Sequence, residues 1–166
     1  QGDVPVVCDW NGDGLDDLGV FRNGWWFFDL DGRGGIGERA FPFGIPGDVP
    51  IVGDWDGDGR SDAGVFRNGW WFLDLDFAGG PGEIAVRFGI PGDRPLARDW
   101  DADGIAEPSV IRSGRWFVDA GRRGGRGEHT GAYELATDIP LAGRWGGVNP
   151  VASAASASVV GPAGLQ

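Results

Sequence analysis

Apolar residues along the chain fall into short runs separated by loops of Gly, Asp and Asn. Residues 47–91 show the order most plainly. Val49-Pro50-Ile51-Val52-Gly53-Asp54-Trp55 is short, apolar and rich in β-formers. An acidic loop follows, Asp56-Gly57-Asp58-Gly59-Arg60-Ser61-Asp62, and then a second strand, Ala63-Gly64-Val65-Phe66-Arg67. Asn68-Gly69 predicts a two-residue hairpin turn, because both residue types accept positive φ. A third strand, Trp70-Trp71-Phe72-Leu73-Asp74-Leu75, leads through Gly79-Gly80-Pro81-Gly82 to a fourth, Glu83-Ile84-Ala85-Val86-Arg87-Phe88. In the third strand Trp70 and Phe72 share one face, and Trp71 and Leu73 the other. A sheet with one face in water would alternate apolar with polar residues. Two apolar faces fit a sheet covered on both sides by neighbours.

The same order recurs with a fixed period. Gly2-Asp3-Val4-Pro5 returns as Gly47-Asp48-Val49-Pro50 and as Gly92-Asp93-Arg94-Pro95, an offset of 45 residues each time, and Asp138-Ile139-Pro140 is a fainter echo. Three full copies span residues 2–46, 47–91 and 92–136. A fourth starts at 137–145 and decays into an Ala/Ser-rich stretch, 146–166, that reads as a degenerate blade or a tail. Four short antiparallel strands in 45 residues match one blade of a β-propeller. The predicted fold is therefore all-β, of propeller type, with three full blades and a partial fourth. A β-sandwich of unrelated hairpins is the alternative, and a strict period disfavours it. Closed propellers use about four to eight blades. The expectation is thus a homo-oligomer, or a piece of a larger propeller.

Composition narrows the function. The chain of 166 residues holds 33 Gly and 11 Pro, which close to excludes an all-helical fold. No apolar run is long enough for a transmembrane helix, so no membrane insertion is expected. No signal peptide opens the chain, and Gln1-Gly2-Asp3 reads as a mature or processed end. The formal net charge is -11, and all 14 basic residues are Arg. Nucleic acid is an improbable partner for so acidic a chain. The one cysteine, Cys8, excludes an intrachain disulfide framework.

The acidic loop carries the strongest chemical signal. Counting from Asp9, oxygen-bearing side chains stand at positions 1, 3, 5 and 9: Asp9, Asn11, Asp13 and Asp17 in the first copy. The second copy has Asp54, Asp56, Asp58 and Asp62, and the third Asp99, Asp101, Asp103 and Glu107. Gly stands at position 6 in all three. Calcium takes six to eight hard oxygen ligands, and alternate residues of a tight loop can turn carboxylates to one point. Backbone carbonyls at position 7 (Leu15, Arg60 and Ile105) would add to the set. The start matches an EF-hand loop, but position 12 is Val20, Val65 or Val110 where an EF-hand has Glu. The three loops hold 12 of the 25 acidic residues, so negative charge is concentrated there. The expected cofactor is Ca2+, about three ions in a structural role. Magnesium fits less well, since it keeps more of its waters. A metal-free Asx-turn loop is the alternative. In the fourth copy Arg144, Gly146 and Val148 replace the acids, and no metal is expected there.

The recurring unit, written out as Phe43-Gly44-Ile45-Pro46-Gly47-Asp48 and Phe88-Gly89-Ile90-Pro91-Gly92-Asp93 together with the calcium loops, resembles the FG-GAP (VCBS-like) repeats of bacterial secreted proteins. The same repeat class builds the calcium-bearing propeller of integrin α subunits. The resemblance covers residues 2–136. It implies calcium in the first hairpin of each blade, a secreted or cell-surface location, and a role in binding or adhesion. Such repeats also accompany hydrolase domains as accessory modules. Tyr133-Glu134-Leu135-Ala136 departs from the Phe-Gly-Ile-Pro pattern.

No constellation for catalysis stands out, and the chain is read as a non-enzyme. His129 is the only histidine and has no counterpart in the other copies. Cys8 stands where Gly53 and Arg98 stand, and reads as a tolerated small residue. The carboxylates are repeated and bundled, whereas an active site is usually built once. Binding is the stronger idea. Trp25 and Trp70, replaced by Arg115 in the third copy, are candidates for an exposed sugar-stacking platform. Trp26, Trp71 and Trp116, and Trp10, Trp55, Trp100 and Trp145, read as core. The function expected is a non-catalytic, calcium-stabilised module for extracellular binding, adhesion or self-assembly. A glycan-binding module, or an accessory domain of a secreted hydrolase, is the alternative, with a glycan or a cell-surface protein as partner.

Overall fold

A computed structural model describes residues 2–35, 37–125, 127 and 129–132. The end of the third copy from Tyr133 and the whole fourth copy, with Trp145, lie outside the described residues. Those described form three four-stranded antiparallel sheets without a helix. The first sheet holds β1 (Val4–Cys8), β2 (Asp17–Arg22), β3 (Trp25–Asp29) and β4 (Arg39–Pro42). The second holds β5 (Val49–Gly53), β6 (Asp62–Arg67), β7 (Trp70–Asp74) and β8 (Ile84–Arg87). The third holds β9 (Arg94–Arg98), β10 (Glu107–Arg112), β11 (Arg115–Val118) and β12 (His129–Ala132). Each sheet is a meander in chain order, so one sheet corresponds to one 45-residue copy. The sheets do not close into a barrel.

The turn chemistry acts as the sequence predicts. Asn68 and Gly69 have φ of 52° and 87°, the two positive values a twisted two-residue hairpin requires, and Arg67 pairs with Trp70 across it. One ion pair locks each hairpin to the strand before it. Arg67 grips Asp48 through two bonds of 2.6 and 2.7 Å, and Arg112 grips Asp93 in the same way. Arg22 and Asp3 form the exposed version. This fork geometry gives a use to the recurring Gly-Asp-x-Pro and Val-Phe-Arg segments.

The hydrophobic cores lie between sheets, not within them. One joins Val6, Trp10, Phe21, Trp26, Phe28, Phe41 and Phe43 of the first copy to Ala63 and Val65 of the second. The other joins Ile51, Trp55, Phe66, Trp71, Leu73 and Phe88 to Ala106 and Val110 of the third. Trp26 and Trp71 are fully buried, and each indole N–H donates to a backbone carbonyl, of Phe43 or Phe88, at 3.0 and 2.8 Å. Trp10, Trp55 and Trp100 are buried as expected, while Trp116 is only partly so.

Backbone bonds reinforce this seam. The Gly80 N–H donates to the Pro42 carbonyl at 3.3 Å, and Gly125 to Arg87 at 3.1 Å. At the loop end Ser61 donates to Asp9 at 2.8 Å, and Ala106 to Asp54 at 2.6 Å.

The first sheet differs from the others on one face. Leu18 is 57% exposed and Val7 50%. Ala63, at Leu18's place in the second sheet, is fully buried, and so is Pro108 in the third. Val20 is half-buried, whereas Val65 and Val110 are sealed. Among the described residues, the face that the preceding sheet covers in copies two and three thus has no sheet packed on it in copy one.

Candidate metal centres

The three β1–β2-type loops are wound by their own carboxylates. Asp54 accepts N–H bonds from Gly57 and Gly59 at 2.6 and 2.9 Å, Asp56 from Asp58 at 3.0 Å, and Asp58 from Arg60 at 2.8 Å. Asp9, Asn11 and Asp13 repeat this pattern toward Gly12, Gly14, Asp13 and Leu15. Asp99, Asp101 and Asp103 repeat it toward Ala102, Gly104, Asp103 and Ile105. Positions 1, 3 and 5 therefore bind the same backbone N–H groups in each loop, and Leu15, Arg60 and Ile105 donate theirs to the carboxylate at position 5.

Carboxylate oxygens of Asp54, Asp56 and Asp58 lie within 4.8 Å of one another, as do those of Asp99, Asp101, Asp103 and Glu107. Three or four hard oxygens this close suit a hard divalent cation. In the first loop Asn11 supplies an amide oxygen where the others have a carboxylate.

Position 9 behaves differently from the rest. Asp62 lies outside the second loop's trio, buried, with its carboxylate accepting the Trp55 N–H at 2.9 Å. Asp17 holds Trp10 at 3.3 Å in the same way. Burial, with the charges of Asp56, Asp54 and Asp58 adding to it, raises the Asp62 carboxyl to about 7. Glu107 has the longer side chain and reaches the third cluster. It too is raised to about 7, by burial first and by Asp101 and Asp103 in part.

The third loop already contains a cation. Arg122 donates to Glu107 at 2.7 Å and to both oxygens of Asp103 at 3.3 and 3.1 Å. It holds the Asp103 carboxyl below its usual range. Sequence reasoning missed Arg122, since Phe77 and Gly32 at the equivalent positions give no hint of charge.

The other candidates fall into place around this frame. Trp25 is 47% exposed and Trp70 40%, each stacked on the Phe two residues on (Phe27 and Phe72) at 6.4 and 6.3 Å. Cys8 is partly buried, and desolvation raises its thiol to about 11, so it stays protonated at neutral pH. His129 lies in β12, paired with Val118. No helix of the described residues is long and apolar enough to cross a membrane. Comparison with protein-family models, with curated proteins and with solved structures found no match.

Proposed function

We propose that this chain is a non-catalytic, metal-stabilised repeat module whose function is assembly, each sheet being one blade of a propeller-type array. The observation that carries this is the open face of the first sheet. Val7, Leu18, Val20 and Phe27 occupy the positions that Val52, Ala63, Val65 and Phe72 use in the second sheet to receive its neighbour. A face built to receive a Trp-bearing sheet of the same kind fits another copy of this chain, joined head to tail. The remainder of a larger propeller would dock in the same way.

Calcium is the cation proposed for the first loops. Asp9, Asn11 and Asp13, Asp54, Asp56 and Asp58, and Asp99, Asp101 and Asp103 would hold it, the last set by displacing Arg122 from Asp103, and it would neutralise clustered like charges. The donor set supports a hard cation; the likeness to FG-GAP repeats favours calcium and a secreted or cell-surface setting, where modules of this kind bind with Kd of roughly 10⁻⁴–10⁻³ M.

Sedimentation of the full chain, with calcium and then with a chelator, tests the proposal. Concentration-dependent oligomers that Leu18→Asp abolishes are expected. A wild-type monomer at every concentration, with calcium present, would overturn assembly between copies.

A second reading rests on the repeated exposure of Trp25 and Trp70. Two tryptophans 45 residues apart on equivalent strands form a pair of flat apolar platforms, as a bivalent glycan-binding module requires. Weak-affinity NMR titration with oligosaccharides tests it, and binding unaffected by Trp25→Ala and Trp70→Ala would exclude these platforms.

A further inference from the structure

A second group of carboxylates lies away from the first loops, in the turn that joins the third and fourth strands of the first two sheets. Carboxylate oxygens of Asp74, Asp76 and Glu83 lie within 4.8 Å of one another, and so do those of Asp29, Asp31 and Glu38. Each acid uses an oxygen to hold the turn. Asp74 accepts from Gly79 at 2.7 Å, Asp76 from Ala78 at 2.8 Å and Glu83 from Leu75 at 2.8 Å. The first copy repeats these bonds with Gly34, Arg33 and Leu30.

One oxygen is left over. Asp74 is fully buried, yet its Oδ1 has no hydrogen-bond partner, and Asp29 Oδ1 is likewise sealed and unpartnered. A buried carboxylate oxygen without a donor, beside two further acids, is costly. No arginine of the described residues lies within ion-pair distance of Asp74, Asp76 or Glu83. Arg39 reaches this turn through the carbonyls of Asp76 and Phe77 and over the Phe77 ring, not through its carboxylates. In the first copy Arg33 meets Asp31 at 3.2 Å on the surface.

The third copy is an internal control. Gly121 replaces Asp76 there. Without that second acid, the N–H at the position of Ala78, now Arg123, turns to Asp119 Oδ1 at 3.2 Å, while Gly124 holds Oδ2 at 2.5 Å. The orphan oxygen appears only in the copies that keep both aspartates and the glutamate together. Asp76 therefore takes a donor away from Asp74 and leaves a buried, unpartnered acceptor on a carboxylate that lies beside two further acids, which is the arrangement a bound cation completes.

We propose that Asp74, Asp76 and Glu83, and in the first copy Asp29, Asp31 and Glu38, form a second divalent-cation site in each of these two repeats, of the hard, oxygen-coordinated class. The site is independent of the first loops and shares no residue with them. Water and backbone carbonyls would complete the shell.

Calcium counting by equilibrium dialysis on the full chain tests this. Asp76→Gly, which installs the third copy's own residue, and Glu83→Gln should each lose one bound ion. The variant Asp54→Asn/Asp58→Asn should lose a different one. An unchanged count in Asp76→Gly and Glu83→Gln overturns the second site, even where the first-loop variant loses its ion. A loss in the former with none in the latter overturns only the first-loop proposal. Should a variant fail to fold, crystals of the wild-type chain soaked in Tb3+ give the answer directly. An anomalous peak between Asp74, Asp76 and Glu83 is expected. No peak there, with the shared negative charge relieved instead by a proton, refutes the site.

Discussion

A methyl group at residue 79 would fall on the Pro42 carbonyl oxygen of the preceding sheet. Gly34, Gly79 and Gly124 are equivalent positions, with φ of 72°, 76° and 74°. All three therefore carry the same backbone penalty for alanine, about 1–2 kcal/mol for a left-handed conformation. Part of it is offset by the lower entropy of the unfolded alanine chain, about 0.4–1 kcal/mol. The net cost at Gly34 is about 1 kcal/mol, because a Cβ there meets nothing within 4 Å. At Gly79 the seam has to move as well. That sacrifices the Gly80–Pro42 bond, worth about 1 kcal/mol. It also disturbs Phe77, whose ring sits 5.7 Å from both Phe28 and Phe41. We expect about 3 kcal/mol for Gly79→Ala and a similar cost for Gly124→Ala, against about 1 for Gly34→Ala. Urea denaturation in the presence of a chelator measures the difference without any contribution from bound metal. A chain of this size should show a gap in Tm of roughly 4–8 °C between Gly34→Ala and Gly79→Ala. Equal destabilisation would refute sheet-on-sheet contact at this seam.

Three further outcomes can be measured. Asp62 and Glu107, both raised to about 7, hold protons in the folded chain that the unfolded chain releases above about pH 4. Metal-free stability should therefore fall as pH rises from 5 to 8 and level off beyond, and the urea midpoint in chelator checks the sign; a rising midpoint contradicts it. Asp3 and Asp103, held low by Arg22 and Arg122, titrate below that window. Arg122→Ala should cost about 1–3 kcal/mol in chelator, by leaving Glu107 without its cation, and much of the loss should return when calcium is added. Trp71→Ala should cost at least 3–5 kcal/mol, whereas Trp25→Ala on the surface should cost under about 1, and chemical denaturation separates the two.

The pattern of residues revealed the strands, the hairpins and the division of each Trp pair into one inner and one outer ring. Asn-Gly turns and alternation act locally, so they could be read without a structure. The Asp48–Arg67 pair had a visible signal as well, since Gly-Asp-x-Pro and Val-Phe-Arg recur together in the first two copies. The second acid cluster was less visible. Glu83 is seven residues from Asp76, and only the fold of an irregular turn brings them together. Arg122 could not be foreseen, because its role depends on the third copy's departure from the repeat. The open face of the first sheet depends on order in the array, which no single unit encodes, although Leu18 in place of Ala63 and Pro108 was its trace.

Cores that straddle successive sheets make the 45-residue unit something other than a domain. No copy carries a complete interior, and the second is the only described one with a neighbour on each side. Unfolding should therefore fray from the outer copies inward, with hydrogen exchange slowest in the middle one. The same design frees the copy number. A duplicated or deleted unit recreates the same seam on either side, so tandem duplication in the gene can lengthen the array without any new core having to evolve.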